Sequence, residues 1–309
     1  MKKTALSAII LAAISTPTFA ADLPARKDQQ AAPSPAPMWT GFYAGLNVGG
    51  GIGTSTGVQT NGYGAYDPVS QTYGMPWGFA SPYRSGSATL NQGGIVGGGQ
   101  VGYNYQVGQN MLIGAEADFQ GTSIQGSGTA FGFASAQATV SNNVTHYQEG
   151  MVSTNAGLNW IGTVRGRVGY LVTPSLLLFG TGGFAYGNTW ANVSSYGLHW
   201  HPFNANVPAD IVFPSYQSVN NVSVGWTAGG GAEWMFLQNW SAKVEAIYYN
   251  LGSQNVTGQY SPLLNERYTQ SLFAFIAAAR TNVTYNGIIA RAGVNYHFNL
   301  GSAPVVAKF

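Results

Sequence analysis

Eight charged residues in the middle and second half of the chain follow a pattern that predicts buried ion pairs. Glu116 and Asp118 are separated by one residue, and two arginines further along repeat this spacing. Side chains two positions apart on an extended strand point to the same face. The set contains four acids and four bases: Glu116, Asp118, Arg165, Arg167, Glu233, Lys243, Glu245 and Arg291. Buried charges must be paired, so this balance predicts a polar network that fills an interior.

The histidines suggest a second kind of chemistry. His199 and His201 are separated by one residue, and on an extended segment such a pair could ligate a divalent metal or a haem iron. The other interpretation is that both are ordinary polar groups of a loop. His146 stands alone, and His297 lies near the end of the chain, so we expect both to be plain polar positions.

Enzymatic chemistry has little support in the sequence. The chain has no cysteine, which removes thiolate metal sites and cysteine nucleophiles. A serine hydrolase needs a base against its nucleophile, and none of the four histidines lies in a motif that fixes such a pair. The run from Gly97 to Gly102 matches G-x-G-x-x-G, but the residues that follow predict a strand rather than a helix. We therefore expect no enzyme and no cofactor.

The composition of the chain indicates what kind of environment its surface faces. The chain has 309 residues, of which only 7% are charged, where a soluble domain carries about 25%. It also has 43 glycines and 13% aromatic residues, which argues against disorder. A surface with so few charges predicts a cover other than water. The 12 bases nearly balance the 10 acids, so nucleic acid is not an expected partner.

The first residues predict export. Lys2 and Lys3 precede an apolar run that ends before Thr18-Phe19-Ala20, and this order is typical of a cleaved secretory signal. We assign 1–20 to the signal peptide and 21–38 to a leader. The leader contains the proline-rich stretch APSPAP, which favours an extended chain of about 3.1 Å per residue.

Eight later segments alternate apolar and polar residues with a period of two, as strands with two unlike faces do. They lie at 39–53, 92–107, 110–122, 157–172, 176–188, 222–236, 240–252 and 286–298. All eight charges named above fall on the polar parity, and the other parity carries none. A charge facing lipid at mid-membrane costs about 2–4 kcal/mol. The apolar parity therefore predicts a lipid-facing surface.

The connections between these segments alternate in length. Three are tight turns, at 108–109, 173–175 and 237–239, and the others, at 54–91, 123–156, 189–221 and 253–285, are long. Outer-membrane barrels have short periplasmic turns and long external loops. The prediction is an all-β fold, an eight-stranded antiparallel transmembrane β-barrel over 39–298 with four long extracellular loops and a tail at 299–309.

Aromatic residues gather near the predicted turns, where a periplasmic girdle belongs. This predicted girdle contains Trp39, Phe42, Tyr103, Tyr105, Tyr170, Trp234, Phe236, Trp240, Tyr296 and Phe298.

Five stretches carry a family resemblance. They read MWTGFYAGLNVGGG at 38–51, WIGTVRGRVGY at 160–170, LLLFGTGGFAYG at 176–187, WSAKVEAIYYNLG at 240–252 and IARAGVNYHF at 289–298. They resemble the opacity-protein-like surface antigens of alphaproteobacteria, which are often called porin-family proteins. The resemblance covers the barrel and fails in the long connections.

The resemblance implies several sites. Similar barrels that begin with Ala-Asp can be joined to peptidoglycan through that alanine, which makes Ala21 the linkage candidate and Asp22 its recognition partner. An ordinary signal-cleavage remnant is the alternative. Either Phe298 or Phe309 would present the aromatic end that the barrel-assembly machinery reads. Some relatives bind haemin, which gives His199 and His201 a possible ligand.

These observations predict an integral outer-membrane protein that supports envelope integrity and acts as a surface antigen. Expected partners are membrane lipid and lipopolysaccharide, the barrel-assembly machinery and peptidoglycan. Two alternatives are a surface protein that binds a ligand such as haemin and a porin-like protein for small solutes. Eight strands enclose a space that side chains can fill, whereas water-filled porins have sixteen or more. The strand number therefore disfavours a pore.

Overall fold

The computed structural model describes residues 39–64, 85–137, 145–200, 211–212, 215–258 and 277–298. The chain divides into the units Met1–Pro35 and Ala36–Phe309, and the first lies outside the described residues.

The second unit is built of strands. They are β1 (Gly41–Gly53), β2 (Gly57–Gly64), β3 (Gly86–Thr89), β4 (Gly93–Val107), β5 (Met111–Gln137), β6 (Thr145–Thr173), β7 (Leu176–Trp200), β8 (Ile211–Val212), β9 (Ser215–Leu237), β10 (Trp240–Gly258) and β11 (Ala277–Phe298). No helix among the described residues is long and apolar enough to cross a membrane, a finding that does not bear on crossing by strands.

Eight of these strands form a closed antiparallel ring in the order β1, β4, β5, β6, β7, β9, β10 and β11. The ring closes where β11 pairs with β1, from Phe42 opposite Phe298 to Gly53 opposite Gly287. Closure leaves no free strand edge. β2 and β3 extend the wall beside β11, and β8 pairs with β7. The predicted eight-stranded barrel is confirmed.

The strands are longer than the sequence predicts. β5 continues to Gln137 and β6 begins at Thr145, so most of the predicted connection at 123–156 is strand. The same holds for the upper parts of β7, β9, β10 and β11. The short turns occur where they are predicted, and Gly108 supplies the left-handed φ of 67° that one of them requires.

Two aromatic girdles mark the lipid-facing band. At the turn end, Phe42 contacts Tyr103 and Trp240 contacts Tyr296. The upper girdle is formed by Phe119, Trp160, Phe184, Tyr186, Trp226 and Tyr248. Ten residues of β6 separate Tyr170 from Trp160, which at about 3.3 Å per residue and a 40° tilt gives roughly 25 Å of height. That height matches the apolar band of an outer-membrane barrel.

Above the upper girdle the outer face of β5, β6, β7 and β9 becomes polar. Up to the level of Thr129 and Ser153 its outward side chains are mainly amides and hydroxyls, and we call this surface the polar belt. Further from the girdle, exposed apolar and aromatic side chains such as Phe131, Met151 and Tyr196 follow. The polar belt consists of Ser123, Gln125, Ser127, Thr129, Ser153, Asn155, Asn159, Asn188, Asn192, Ser194, Ser218 and Asn220.

The inside of the ring has three layers. An apolar base layer lies at the turn end and contains Trp39, Leu112, Leu171, Leu177, Phe179 and Met235. A charged layer follows at the height of the lipid-facing band. Above it, from about the upper girdle upward, lies an apolar upper core that includes Ile124, Leu158, Ile161, Ile247, Tyr249, Tyr285 and Ile289. The lumen is therefore filled along its height.

Candidate functional site

Arg165 lies at the centre of the charged layer. Its guanidinium pairs with Glu116 and, at 2.8 Å, with Asp118, both on β5. On the other side of the lumen it reaches Glu245 of β10 at 3.0 Å. One arginine of β6 thus connects strands that lie across the ring from each other.

Two further cations complete this central cluster. The Nη2 of Arg291 lies 2.8 Å from both Asp118 and Glu245. The Nζ of Lys243 lies 2.9 Å from Glu116 and 2.8 Å from Glu245. Three carboxylates therefore meet three cations, so the cluster has no net charge.

A second group, nearer the base, is organised around Glu233. Arg167 pairs with this carboxylate, while Ser241 and Asn295 donate hydrogen bonds to its other oxygen at 2.5 and 2.7 Å. The guanidinium carbon of Arg167 also lies 3.9 Å from the centre of the Phe179 ring, which belongs to the base layer. This pair is again neutral and packs directly on apolar side chains.

Tyr43 links the two groups. Its hydroxyl donates to Glu116 at 2.5 Å and accepts from Nη1 of Arg167 at 3.3 Å. A Cβ on Gly102 would collide with the Tyr43 ring, so this glycine provides the room that the phenol occupies. Gly102 ends the G-x-G-x-x-G match, and its place within β4 confirms that the match does not form a phosphate loop.

All eight charged residues are at most 5% exposed. The structure places every one of them in the lumen and joins them in one network. Removing one member of a buried ion pair leaves an uncompensated charge, which costs about 3–5 kcal/mol. The network can hold the wall together and exclude water, and each of its carboxylates is bound to a cation.

The base layer contains a residue that the sequence analysis misplaced. Trp39 was predicted on the outer girdle but is fully buried inside the ring, where its indole donates to the carbonyl of Pro174 at 2.9 Å. Gly41 has a φ of 139°, in the region that favours glycine, at the point where the chain turns from Trp39 into the wall.

His297, which we expected to be a plain polar position, is buried in the lumen and has specific partners there. Its Nε2 lies 2.9 Å from the Ser241 hydroxyl and 3.3 Å from Glu233, and Trp39 packs edge-on against its ring. These partners come from other strands and, in the case of Trp39, from outside the strands.

Only some of the remaining predicted site residues belong to the described part of the chain. The backbone of His199 pairs with Gln148 and Ile211, while His201 lies outside the described residues, as do Ala21, Asp22 and Phe309. Phe298 is at the closing seam with its ring facing outward. Among the described residues, no group of three or more His, Asp or Glu side chains could hold a metal ion.

Sequence comparison identifies the family. The chain is 33% identical over 258 residues to the 31 kDa outer-membrane immunogenic protein of Brucella melitensis, covering 82% of this chain and 89% of that protein. The chain belongs to the family of alphaproteobacterial outer-membrane immunogenic proteins. The chain is also similar to the 22 kDa outer membrane protein of Rhizobium leguminosarum bv. viciae, with 26% identity over 231 residues, covering 74% of this chain and 71% of that protein.

No protein-family model matches the chain. Among solved structures, OprG from Pseudomonas aeruginosa has a TM-score of 0.36 and 10% identity, covering 84% of this chain and 97% of OprG. The attachment invasion locus protein Ail of Yersinia pestis has a TM-score of 0.27 and 11% identity, covering 83% of this chain and 99% of Ail.

Membership of the family of outer-membrane immunogenic proteins settles the location. This chain is an integral protein of the outer membrane and a surface antigen.

Proposed function

We propose that this protein is a closed barrel that reinforces the outer membrane and does not conduct solutes. The observation that carries the proposal is the charged layer, in which all eight charged side chains are paired between two apolar layers. A water-filled pore needs an unobstructed polar path. Here the apolar base layer and the apolar upper core close both ends of the polar region.

Planar-bilayer recording of the purified protein tests this proposal. We expect no stable conductance from the wild type. Replacing Arg167 and Glu233 together by alanine removes a neutral pair of large side chains from the lumen. We expect this double variant to give small, flickering conductance steps. It serves as the positive control, because such steps show that the assay detects an opened lumen. Glu149→Gln, on the exposed end of β6, is the matched control. Large, stable steps from the wild type would disprove the closed barrel.

The mature N-terminus supports a more specific role as a tether. By family resemblance, Ala21 is the residue that would be linked to peptidoglycan, and Asp22 would be recognised with it. Residues 23–38 of the leader, extended at about 3.1 Å per residue, give roughly 50 Å of reach. Its end is next to Trp39, which is fixed in the base layer at the end of the barrel that carries the short turns.

Cell-wall sacculi provide the test of the tether. After boiling in detergent and digestion with muramidase, mass spectrometry is expected to find the Ala21 peptide carrying a stem-peptide mass. Asp22→Ala should lose this adduct, while Asp28→Ala, in the same leader, should keep it. If the wild-type protein yields no adduct, the tether is excluded and the closed barrel is unaffected.

Two further expectations concern enzymatic activity and recognition by the assembly machinery. We expect no enzymatic activity, because each lumen carboxylate is bound to a cation. We also expect the assembly machinery to read an aromatic end of the chain. Phe298 lies at the end of β11 beside the seam, so Phe298→Ala should slow insertion more than deletion of 299–309 does. The reverse order would assign the signal to Phe309.

A further inference from the structure

The polar belt begins directly above the upper aromatic girdle. Asn159 adjoins Trp160 of that girdle on β6, and Asn188 is two residues from Tyr186 on β7. Girdle aromatics sit at the level of the lipid head groups. The polar belt therefore continues the outer surface beyond the lipid-facing band. Where the acyl chains of an outer-leaflet glycolipid cover that band, the saccharide part of the same molecule lies against the polar belt.

The belt contains no charged side chain. Among the residues that the structure describes, Glu149 and Arg280 are the only charged ones that are not in the lumen. Both lie well above the upper girdle. On β6, ten residues separate Glu149 from Trp160, and on β11 seven residues separate Arg280 from Ile288, which pairs with Tyr248 of the girdle. Tight binding of phosphate needs arginine or lysine, which this surface lacks.

The belt amides are held in position by one another. The amide of Asn159 donates to Asn188 at 2.7 Å, and the amide of Asn188 donates to Asn220 at 2.6 Å. An amide carries both a donor and an acceptor, and a sugar hydroxyl needs both. Asn155 and Asn192, opposite each other on β6 and β7, have no side-chain partner among the described residues, so they are available to a ligand.

An aromatic ring lies within the same surface. Trp190 is half-buried on β7, and its ring covers Gly157 so closely that a Cβ there would lie 2.9 Å from a ring carbon. Along β7 the outward positions on either side of Trp190 are Asn188 and Asn192. Carbohydrates present hydroxyls at their edges and C–H groups on their faces, and an aromatic plane between amides complements both.

We propose that the polar belt binds the neutral sugars of the outer-leaflet glycolipid through its amides, its hydroxyls and Trp190. The inference rests on the proposed function, which makes the protein a closed barrel of the outer membrane, and it adds the outer-leaflet glycolipid as a partner together with the part of that molecule that is recognised. Because no charge takes part, this binding is insensitive to salt and to divalent cations, unlike binding of glycolipid phosphates.

The experiment compares two glycolipids with the full-length mature protein in nanodiscs. One probe is lipid A alone, and the other is lipid A with its complete core oligosaccharide. We expect the core-bearing glycolipid to bind at least five-fold more tightly. This preference should change less than two-fold between 50 and 500 mM NaCl, where charge interactions are strongly screened, and should not change on addition of EDTA.

Variants of Asn155 and Asn192 make the test specific. The double substitution Asn155→Ala with Asn192→Ala should abolish the preference and leave lipid A binding unchanged. Gln109→Ala, an exposed amide in a turn at the opposite end of the barrel, is the matched control and should keep the preference. A heat-modifiable gel shift verifies that each variant is folded.

Three results would overturn the proposal: equal affinity for the two glycolipids, an affinity that falls steeply with salt, or a double variant that keeps the preference. The salt-sensitive result would assign the contact to phosphates instead. Conductance measured on the same preparations keeps the two proposals apart, because an open lumen would disprove the closed barrel without changing the preference for sugars.

Discussion

The membrane-embedded half of the barrel and the half above the upper girdle have opposite polarity. Within the lipid-facing band the wall is charged inside, around Arg165, and apolar outside, for example at Val164 and Val168. Above the girdle the inside is apolar, as at Leu158, and the outside carries the polar belt. One continuous wall thus has a charged interior where it lies in lipid and an ordinary apolar core where it lies in water.

This difference explains the unusual composition. A core above the membrane can be built of apolar side chains because water solvates the polar groups on its outer face. Within the membrane the outer face must be apolar, and the charges pair inside instead. Among the described residues only that layer holds buried charges, and its eight members leave only Glu149 and Arg280 as further charged residues in the part of the chain that the structure describes.

The largest effect is expected from breaking the charged layer. Arg165→Met leaves Glu116, Asp118 and Glu245 without their shared arginine, and removal of one partner from a buried pair costs about 3–5 kcal/mol of unfolding free energy. Urea unfolding in lipid vesicles, followed by tryptophan fluorescence, measures it. Glu149→Gln, exposed on β6, should change stability by less than about 0.5 kcal/mol. Equal effects of the two variants would contradict the layer's structural role.

The second largest effect is expected from a cavity in the apolar upper core. Leu158→Ala removes a buried side chain and should lower the unfolding free energy by about 2–5 kcal/mol. Phe131 is also above the girdle but 77% exposed, so Phe131→Ala is expected to cost less than about 0.5 kcal/mol. The same urea titration compares them. A large loss for Phe131→Ala would mean that this part of the wall is covered by another surface.

Lysine substitutions on the outer face test the height at which the wall changes from apolar to polar. Val164→Lys places a charge on the lipid-facing side of the band and should cost about 2–4 kcal/mol. Ser153→Lys places the same charge in the polar belt, where water solvates it, and should cost less than about 0.5 kcal/mol. Vesicle unfolding gives both values. Similar costs at the two sites would show that the belt lies within the lipid.

The smallest effect concerns the amide ladder of the belt. Asn188→Ala removes the residue between Asn159 and Asn220 and should cost about 0.5–1.5 kcal/mol, because exposed hydrogen bonds are replaced by water. Asn155→Ala, which breaks no such bond, serves as the control and should have no measurable effect. A loss above 3 kcal/mol at Asn188 would indicate a buried ladder instead of a surface one.

Alternation in the sequence was enough to place all eight charges on the inner face. A transmembrane wall has one face in lipid, so parity alone separates charged from lipid-facing positions. The pairs were beyond prediction, because Arg291 meets Asp118 across the lumen and that contact depends on ring closure. It also depends on the register of the pairings that lead from β11 through β1 and β4 to β5.

The upper strands were mistaken for loops for a related reason. Their outer faces carry serine and asparagine, as at Ser127 and Asn155, and their inner faces carry small residues such as Ala156 and Ala191. Loops have the same composition, and the alternation is weak when the apolar residues are small. The misplacement of Trp39 had another cause, because its direction depends on the turn at Gly41, which the pattern did not reveal.

The position of Arg291 on the last strand bears on the order of assembly. The other seven lumen charges are four carboxylates and three cations, so a sheet that lacks β11 holds one unbalanced negative charge. Arg291 supplies the missing positive charge as β11 pairs with β1. The lumen side chains must be in place before the ring closes. β11, which closes the ring by pairing with β1, is also the strand whose arginine is attracted by the excess negative charge of the lumen.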